Sequence, residues 1–133
     1  RTQPNLILHG KKNHDEIPKE ICNYQIGLLP MPPLSAWIIA SPLKRSEYLA
    51  SGLAVLGVNH PGHHLPYDKP NSEWYVLVEQ KNFVTDAIAQ IMKWNKKSNF
   101  TEMGVESRTY AEENLDWNIT VNSLTSWIHK GLE

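Results

Sequence analysis

Short apolar runs alternate with segments of helical character along most of the chain. Four runs are almost continuously apolar and are bounded by Gly, Pro or polar residues, which is typical of buried strands. They cover residues 5–9, 26–31, 53–58 and 74–78. Five other segments carry helical spacing or the residues that begin and end helices. They cover residues 17–24, 42–51, 83–94, 103–114 and 119–129.

This order of elements predicts one α/β domain over residues 1–133, with a parallel sheet and flanking helices. Residues 32–40 are expected to form an irregular connection. In the helix that follows, Ser41 is the expected N-cap, Pro42 the first helical residue and Gly52 the residue past the end. Open parallel sheets bind ligands at the carboxyl ends of their strands, so we expect the site in the turns that follow the strands.

Helix 83–94 is predicted to be amphipathic, with one side facing the core. The residues expected on that side are Val84, Ala87, Ile88, Ile91 and Met92.

The charge balance narrows the classes of protein. The 133 residues include 13 basic and 14 acidic side chains, for a net charge of −1. Proteins that bind nucleic acid normally carry a basic excess, so nucleic acid is not an expected partner. Cys22 is the single cysteine, which leaves no intramolecular disulfide and favours a reducing compartment. No apolar run is long enough to span a bilayer, so we expect a cytoplasmic protein.

The loop at residues 59–72 contains His60, His63 and His64 together with several Pro and Gly residues. Imidazoles are common metal ligands, but here only Asp68 and no cysteine accompanies them. We therefore expect a solvated loop near the cleft and no metal.

Tryptophan side chains are further candidates for ligand contact. A Trp ring can stack on a base or a sugar, although packing in the core is its commoner role. We expect Trp94, Trp117 and Trp127 in the core, and we keep Trp37 and Trp74 as candidates for stacking. The chain has no G-x-S-x-G motif that would indicate a serine nucleophile.

Residues 41–52 carry the most specific chemical signal. A helix start presents unpaired backbone N–H groups and a positive dipole end, and Lys44 and Arg45 lie in the first turn. Basic residues there oppose the dipole, so they fit either an anionic ligand such as phosphate or a solvated surface. Glu47 could form a surface ion pair with Lys44, or its carboxylate could accept hydrogen bonds from the hydroxyl groups of a ligand.

The run from Ser41 to Leu56 resembles a pattern in the C-terminal half of GT-B glycosyltransferases, the group that includes glycogen synthases and many polysaccharide and lipid glycosyltransferases. The shared features are SPLK at the helix start, EYLA within the helix, and a Gly followed by an apolar strand. Weaker similarities extend the resemblance over nearly the whole chain, at residues 8–10, 17–30, 76–78, 83–92, 103–104 and 116–117. The implied fold is a Rossmann-like half of a GT-B fold.

The resemblance implies a site for a nucleotide-diphosphate sugar, which is a substrate, with neither a metal nor another cofactor. It implies that Glu47 binds the ribose hydroxyls and that the helix start at Ser41, Leu43 and Lys44 lies near the diphosphate. Many members carry a further glutamate where this chain has Ile39, although members with the Pro-Leu-Lys helix start often lack it.

The implied activity is retaining transfer of a sugar from a nucleotide sugar to a saccharide or lipid-linked acceptor. The chain is then expected to be a fragment of the C-terminal half, inactive without the missing N-terminal domain. Peripheral contact with a membrane is expected where the acceptor is lipid-linked. Two alternatives stay open: a noncatalytic α/β module that binds a protein through its sheet edge and the 59–72 loop, and a sugar-nucleotide epimerase with GT-B architecture.

Overall fold

The sheet has three parallel strands, which lie side by side in chain order. The computed structural model describes residues 5–67 and 72–131. The strands are β1 (Ile26–Leu29), β2 (Ala54–Val58) and β3 (Tyr75–Val78). In the register of the sheet, Val55 of β2 lies opposite Gly27 on one side and Tyr75 on the other. The predicted α/β class with a parallel sheet is therefore confirmed.

Helices account for most of the remaining described chain. They are α1 (Ile17–Ile21), α2 (Ser35–Ile38), α3 (Leu43–Ala50), α4 (Phe83–Lys97), α5 (Phe100–Asn114) and α6 (Trp117–Lys130). In the crossover from β1 to β2, α3 packs against both strands and against α5, whereas α4 packs against β3. The connection from β2 to β3 begins with a 3-10 turn at Pro61–His63.

The core is centred on β2, where every residue is buried. Leu29 of β1 and Leu49 of α3 are fully buried beside it, and each such side chain contributes about 1.5–3 kcal/mol of transfer free energy. Trp94 of α4 is buried as predicted, and its indole N–H donates to the carbonyl of Glu73 at 2.9 Å. The central strand therefore anchors the helices that carry the loops at the carboxyl end of the sheet.

The strand predicted at residues 5–9 does not form. Leu6, Ile7 and Leu8 are 60%, 74% and 84% exposed and pair with no strand. An apolar run predicts a strand only if a neighbouring strand is there to accept its hydrogen bonds, and the local pattern does not report that neighbour.

The start of α3 differs by one residue from the prediction. Pro42 is the N-cap, no side chain caps the helix, and the hydroxyl of Ser41 instead accepts a hydrogen bond from Arg45. The connection before it is not fully irregular, because it contains the single turn α2. Gly52 follows the helix with φ of 74°, the left-handed conformation that glycine adopts without strain, as predicted.

The predicted core side of helix 83–94 is mostly exposed. Ala87 is buried and Ile91 half-buried, but Val84, Ile88 and Met92 lie at the surface because no described element covers that side of α4.

The two tryptophans of α6 also contradict the prediction that they lie in the core. Trp117 and Trp127 are 76% and 74% exposed, and no other residue of α6 is buried either. Neither α6 nor any other helix within residues 5–67 and 72–131 is long and apolar enough to cross a membrane.

Candidate functional site

A cavity of about 410 Å³ lies at the carboxyl ends of β1 and β2, where α3 begins. Met31 from the turn after β1, Trp37 of α2 and His63 from the turn after β2 form part of its wall. The rest is the approach to α3 and its first residues: Ala40, Ser41, Pro42, Leu43 and Lys44. We call it the carboxyl-end cavity. It occupies the position at which open parallel sheets bind ligands, and it includes Trp37 as expected for a cleft-lining residue.

Backbone donors at the start of α3 border this cavity. Arg45 donates the first helical hydrogen bond, from its N–H to the carbonyl of Pro42 at 3.0 Å. The N–H groups of Leu43 and Lys44 precede that bond, so the helix itself does not use them. The first turn contains no acidic residue, and the side chain of Lys44 is exposed. Unused donors, the positive dipole end and an ammonium group together favour an anion here.

Glu47 borders a second cavity rather than the carboxyl-end cavity. We call this the α3-flank cavity; its volume is about 390 Å³, and α1, α3 and Arg108 of α5 form its wall. Glu47 is half-buried and makes no ion pair with Lys44, in contrast to the surface pairing considered from the sequence. Because Leu43 and Glu47 are four residues apart, they lie one turn apart on the same side of α3. The structure thus brings Ser41, Leu43 and Lys44 together and places Glu47 one turn farther along.

Arg45 is neither on the surface nor free to bind an anion; it is buried, with 5% exposure. Its Nη1 donates to the carbonyl of His64 at 2.6 Å and to that of Gly62 at 3.4 Å. Its Nη2 donates to Ser41 Oγ at 3.3 Å. The guanidinium therefore joins the start of α3 to the turn after β2. The sequence held one signal for this role, because Arg45 shares a side of the helix with the buried Leu49.

The histidine loop is partly buried, so the prediction of a solvated loop is wrong for two of its residues. His60 and His63 are 3% and 1% exposed, and their ring centroids lie 3.8 Å apart. His63 Nδ1 lies 2.7 Å from the carbonyl oxygen of Val58. Since a carbonyl only accepts, Nδ1 carries a proton. Burial lowers the pKa of His63, so its imidazole is neutral at neutral pH and Nε2 has a free lone pair.

Backbone contacts explain why this loop turns inward. A Cβ on Gly62 would lie 2.1 Å from the carbonyl oxygen of Trp37, so only glycine allows the turn to approach α2 this closely. The hydroxyl of Tyr75 donates to the carbonyl of His63, and burial raises the pKa of this tyrosine, which keeps the donor protonated. Residues 68–71, including Asp68, lie outside the described residues.

Three nitrogen atoms of this cluster are buried without a hydrogen-bond partner in the described structure. They are Nε of Arg45 and both ring nitrogens of His60. Buried polar atoms are nearly always paired, and exceptions point to functional sites or to bound polar groups.

Other candidate sites are less well supported. Within the described ranges, no group of three or more His, Cys, Asp and Glu side chains is arranged to hold a metal ion. A larger cavity of about 850 Å³ lies between α5 and the residues that precede β1 and β2, such as Gln25 and Gly52. It opens at the amino ends of the strands, opposite to the end at which parallel sheets bind ligands.

Comparison with family models, curated proteins and solved structures gives no match to this chain. The two cavities and the start of α3 are therefore the observations on which a function can be proposed.

Replacing Arg45 tests its role in joining α3 to the turn after β2. We expect Arg45→Met to lower the free energy of unfolding by about 2–4 kcal/mol, because the buried carbonyl of Gly62 and the partly buried carbonyl of His64 lose their donor. Urea denaturation measures this change. The matched control is the exposed neighbour Lys44→Met, which we expect to change stability by less than about 0.5 kcal/mol. Equal effects of the two substitutions would contradict the role assigned to Arg45.

The neutral His63 predicts a loss of stability in acid. Its pKa in the folded protein lies below the ordinary value of 6.5, so below pH 6.5 the unfolded chain takes up a proton that the folded protein does not. Stability therefore falls as the pH drops from 6.5 toward the folded pKa, by up to about 1.4 kcal/mol per pH unit. Above pH 6.5 both states are neutral at this residue, and its contribution is constant.

Urea denaturation between about pH 8 and pH 5 measures this dependence. The positive charge of Arg45 and the neighbouring His60 and His64 also disfavour protonation of His63. We expect His63→Asn to reduce the slope below pH 6.5, and His129→Asn on the exposed α6 to leave it unchanged. An unchanged slope in His63→Asn would show that other groups cause the acid sensitivity.

Proposed function

We propose that this chain is the nucleotide-sugar-binding portion of a retaining GT-B glycosyltransferase. The observation that carries the proposal is the carboxyl-end cavity at the start of α3, with Glu47 one turn along the same side of the helix. The resemblance of the run from Ser41 to Leu56 to GT-B enzymes supports this assignment. An anion-favouring helix start next to a half-buried carboxylate matches a ligand that has both phosphate groups and hydroxyl groups.

The proposed donor extends along the exposed side of α3. Its diphosphate accepts hydrogen bonds from the N–H groups of Leu43 and Lys44 and pairs with the Lys44 ammonium. Its ribose hydroxyls donate to the carboxylate of Glu47 in the α3-flank cavity, and its sugar occupies the carboxyl-end cavity. The two anchor points lie one helical turn apart, about 5.4 Å, which one nucleotide can bridge. Each cavity lies in the size range of small-molecule sites.

In the proposed reaction the bond between the sugar C1 and the diphosphate oxygen breaks, and its electron pair stays on the diphosphate. C1 then forms a bond, on the face that the diphosphate leaves, to a hydroxyl oxygen of a saccharide or lipid-linked acceptor, and the proton of that hydroxyl passes to the leaving diphosphate oxygen. The helix start and Lys44 stabilise the charge that grows on the leaving diphosphate, and binding of the donor fixes the position of C1.

In a GT-B enzyme the acceptor binds to the other half of the molecule, so we propose that the donor half alone does not turn over. The location that we propose is cytoplasmic, with peripheral membrane contact where the acceptor is lipid-linked.

Calorimetric titration with UDP and with GDP tests donor binding. We expect one of the two nucleotides to bind, and Glu47→Gln to weaken its binding about 10-fold, because the ribose hydroxyls lose a charged acceptor. Lys44→Gln is expected to weaken binding about 3- to 10-fold through loss of an exposed charge pair.

Two exposed residues elsewhere provide matched controls. Lys96→Gln at the end of α4 and Glu102→Gln on α5 make the same chemical changes away from both cavities, and we expect unchanged affinity. Absence of binding by both nucleotides, or equal effects at the site and at the controls, would overturn the proposal.

A noncatalytic module that binds a protein remains the second candidate. It is favoured by the exposed α6, where Trp117 and Trp127 lie on the surface, and by the outer edge of β1, which pairs with no strand among the described residues. The same titration separates the candidates, because such a module needs no affinity for nucleotide. A sugar-nucleotide epimerase would share the donor site and is separated by its product, an epimerised sugar rather than a transferred one.

A further inference from the structure

Residues around the carboxyl-end cavity are rich in hydrogen-bond donors. The donors are the N–H groups of Leu43 and Lys44 and the ammonium group of Lys44. The hydroxyl oxygen of Ser41 already accepts from Arg45. A phosphate group suits these donors, because at neutral pH it has many acceptor oxygens.

His63 is different, because it brings an acceptor to the same wall. His63 lines the cavity, and its Nδ1–H donates to the carbonyl of Val58. The other ring nitrogen, Nε2, therefore carries a lone pair. Burial of the ring disfavours a second proton on it, and so do Arg45 and His60, whose ring centroid lies 3.8 Å away. Nε2 is thus available to a ligand group that donates.

A diphosphate has no such donor at neutral pH, whereas a sugar carries several hydroxyl groups. In the proposed binding mode the ribose hydroxyls lie at Glu47, in the α3-flank cavity. The base also carries N–H donors, but it is attached to the ribose on the side away from the diphosphate. The donor groups that reach the carboxyl-end cavity in this binding mode are therefore the hydroxyls of the transferred sugar.

We propose that His63 is a specificity-determining residue whose Nε2 accepts a hydrogen bond from a hydroxyl of the donor sugar. The inference rests on the proposed function and assigns the protein residue by which a nucleotide sugar is distinguished from the bare nucleotide. The buried ring cannot turn to another partner without breaking the bond to Val58, so the acceptor has a fixed direction.

Two substitutions of His63 separate its two nitrogen atoms. The amide nitrogen of His63→Asn takes the place of Nδ1 and keeps the bond to Val58, but nothing replaces Nε2. The longer side chain of His63→Gln places an amide oxygen near the position of Nε2. Urea denaturation confirms that each variant is folded before binding is measured.

The test is the affinity of the protein for UDP-glucose relative to UDP, and for GDP-mannose relative to GDP, measured by calorimetry. We expect His63→Asn to lower the preference for the nucleotide sugar about 3- to 10-fold and to leave the affinity for the bare nucleotide diphosphate within about 2-fold of the wild-type value. We expect His63→Gln to restore part of the preference. If His63 had a purely structural role, His63→Asn would lower the affinity for both ligands equally.

The ¹⁵N resonance of His63 Nε2 supplies a readout that does not depend on a variant. In the wild-type protein it is expected to move on addition of the nucleotide sugar and to stay in place on addition of the nucleotide alone. An unchanged preference in His63→Asn, or equal weakening of both ligands, overturns the inference and leaves the proposed function intact. Absence of binding by all four ligands overturns the proposed function and the inference with it.

Discussion

The carboxyl end of the sheet depends on one buried guanidinium. Arg45 donates hydrogen bonds to two carbonyls of the turn after β2 and to the hydroxyl of Ser41, and so joins the start of α3 to a turn that lies 17 to 19 residues farther along the chain. Its partners are neutral oxygen atoms, so its charge stays uncompensated by them and adds to the positive end of α3. That field favours an anion at the helix start, and it adds to burial, the larger cause, in lowering the pKa of His63. The same residue therefore holds together two segments that line the carboxyl-end cavity and adds to the positive charge at the helix start.

Strands and helices that pack on β2 could be predicted from their local pattern. The continuous apolar run at residues 53–58 and the helix end at Gly52 are examples. A strand buried on both faces requires apolar residues, and a left-handed turn favours glycine, so both can be recognised in the sequence. Leu6 to Leu8, Met92 on α4 and Trp117 on α6 have equally apolar patterns and are exposed. Periodicity shows that a side is apolar, but whether another element covers that side depends on tertiary contacts that lie far apart in the chain.

The candidate site was only partly predictable for a related reason. The helix-start signal correctly grouped Ser41, Leu43 and Lys44, since their proximity is local. The sequence predicts a solvated loop for His63 and leaves Arg45 open between contact with an anion and a solvated surface, because polar residues in a loop or a first turn are usually accessible. Their burial depends on bonds to backbone carbonyls, at Val58 and in the turn after β2, and the side-chain pattern offers only one signal for it, the position of Arg45 one helical turn before Leu49. Sequence patterns report side chains, and this part of the molecule is held together mainly by backbone acceptors.

The central claim is that a nucleotide diphosphate binds at the start of α3. Amide chemical-shift mapping by NMR, with UDP or GDP added to the ¹⁵N-labelled protein, tests it most directly. The claim predicts that the largest shift changes occur at Leu43 and Lys44, with smaller changes at Glu47. Changes centred on Gly52 and Gly104, in the cavity at the amino ends of the strands, or no changes with either nucleotide, would contradict it.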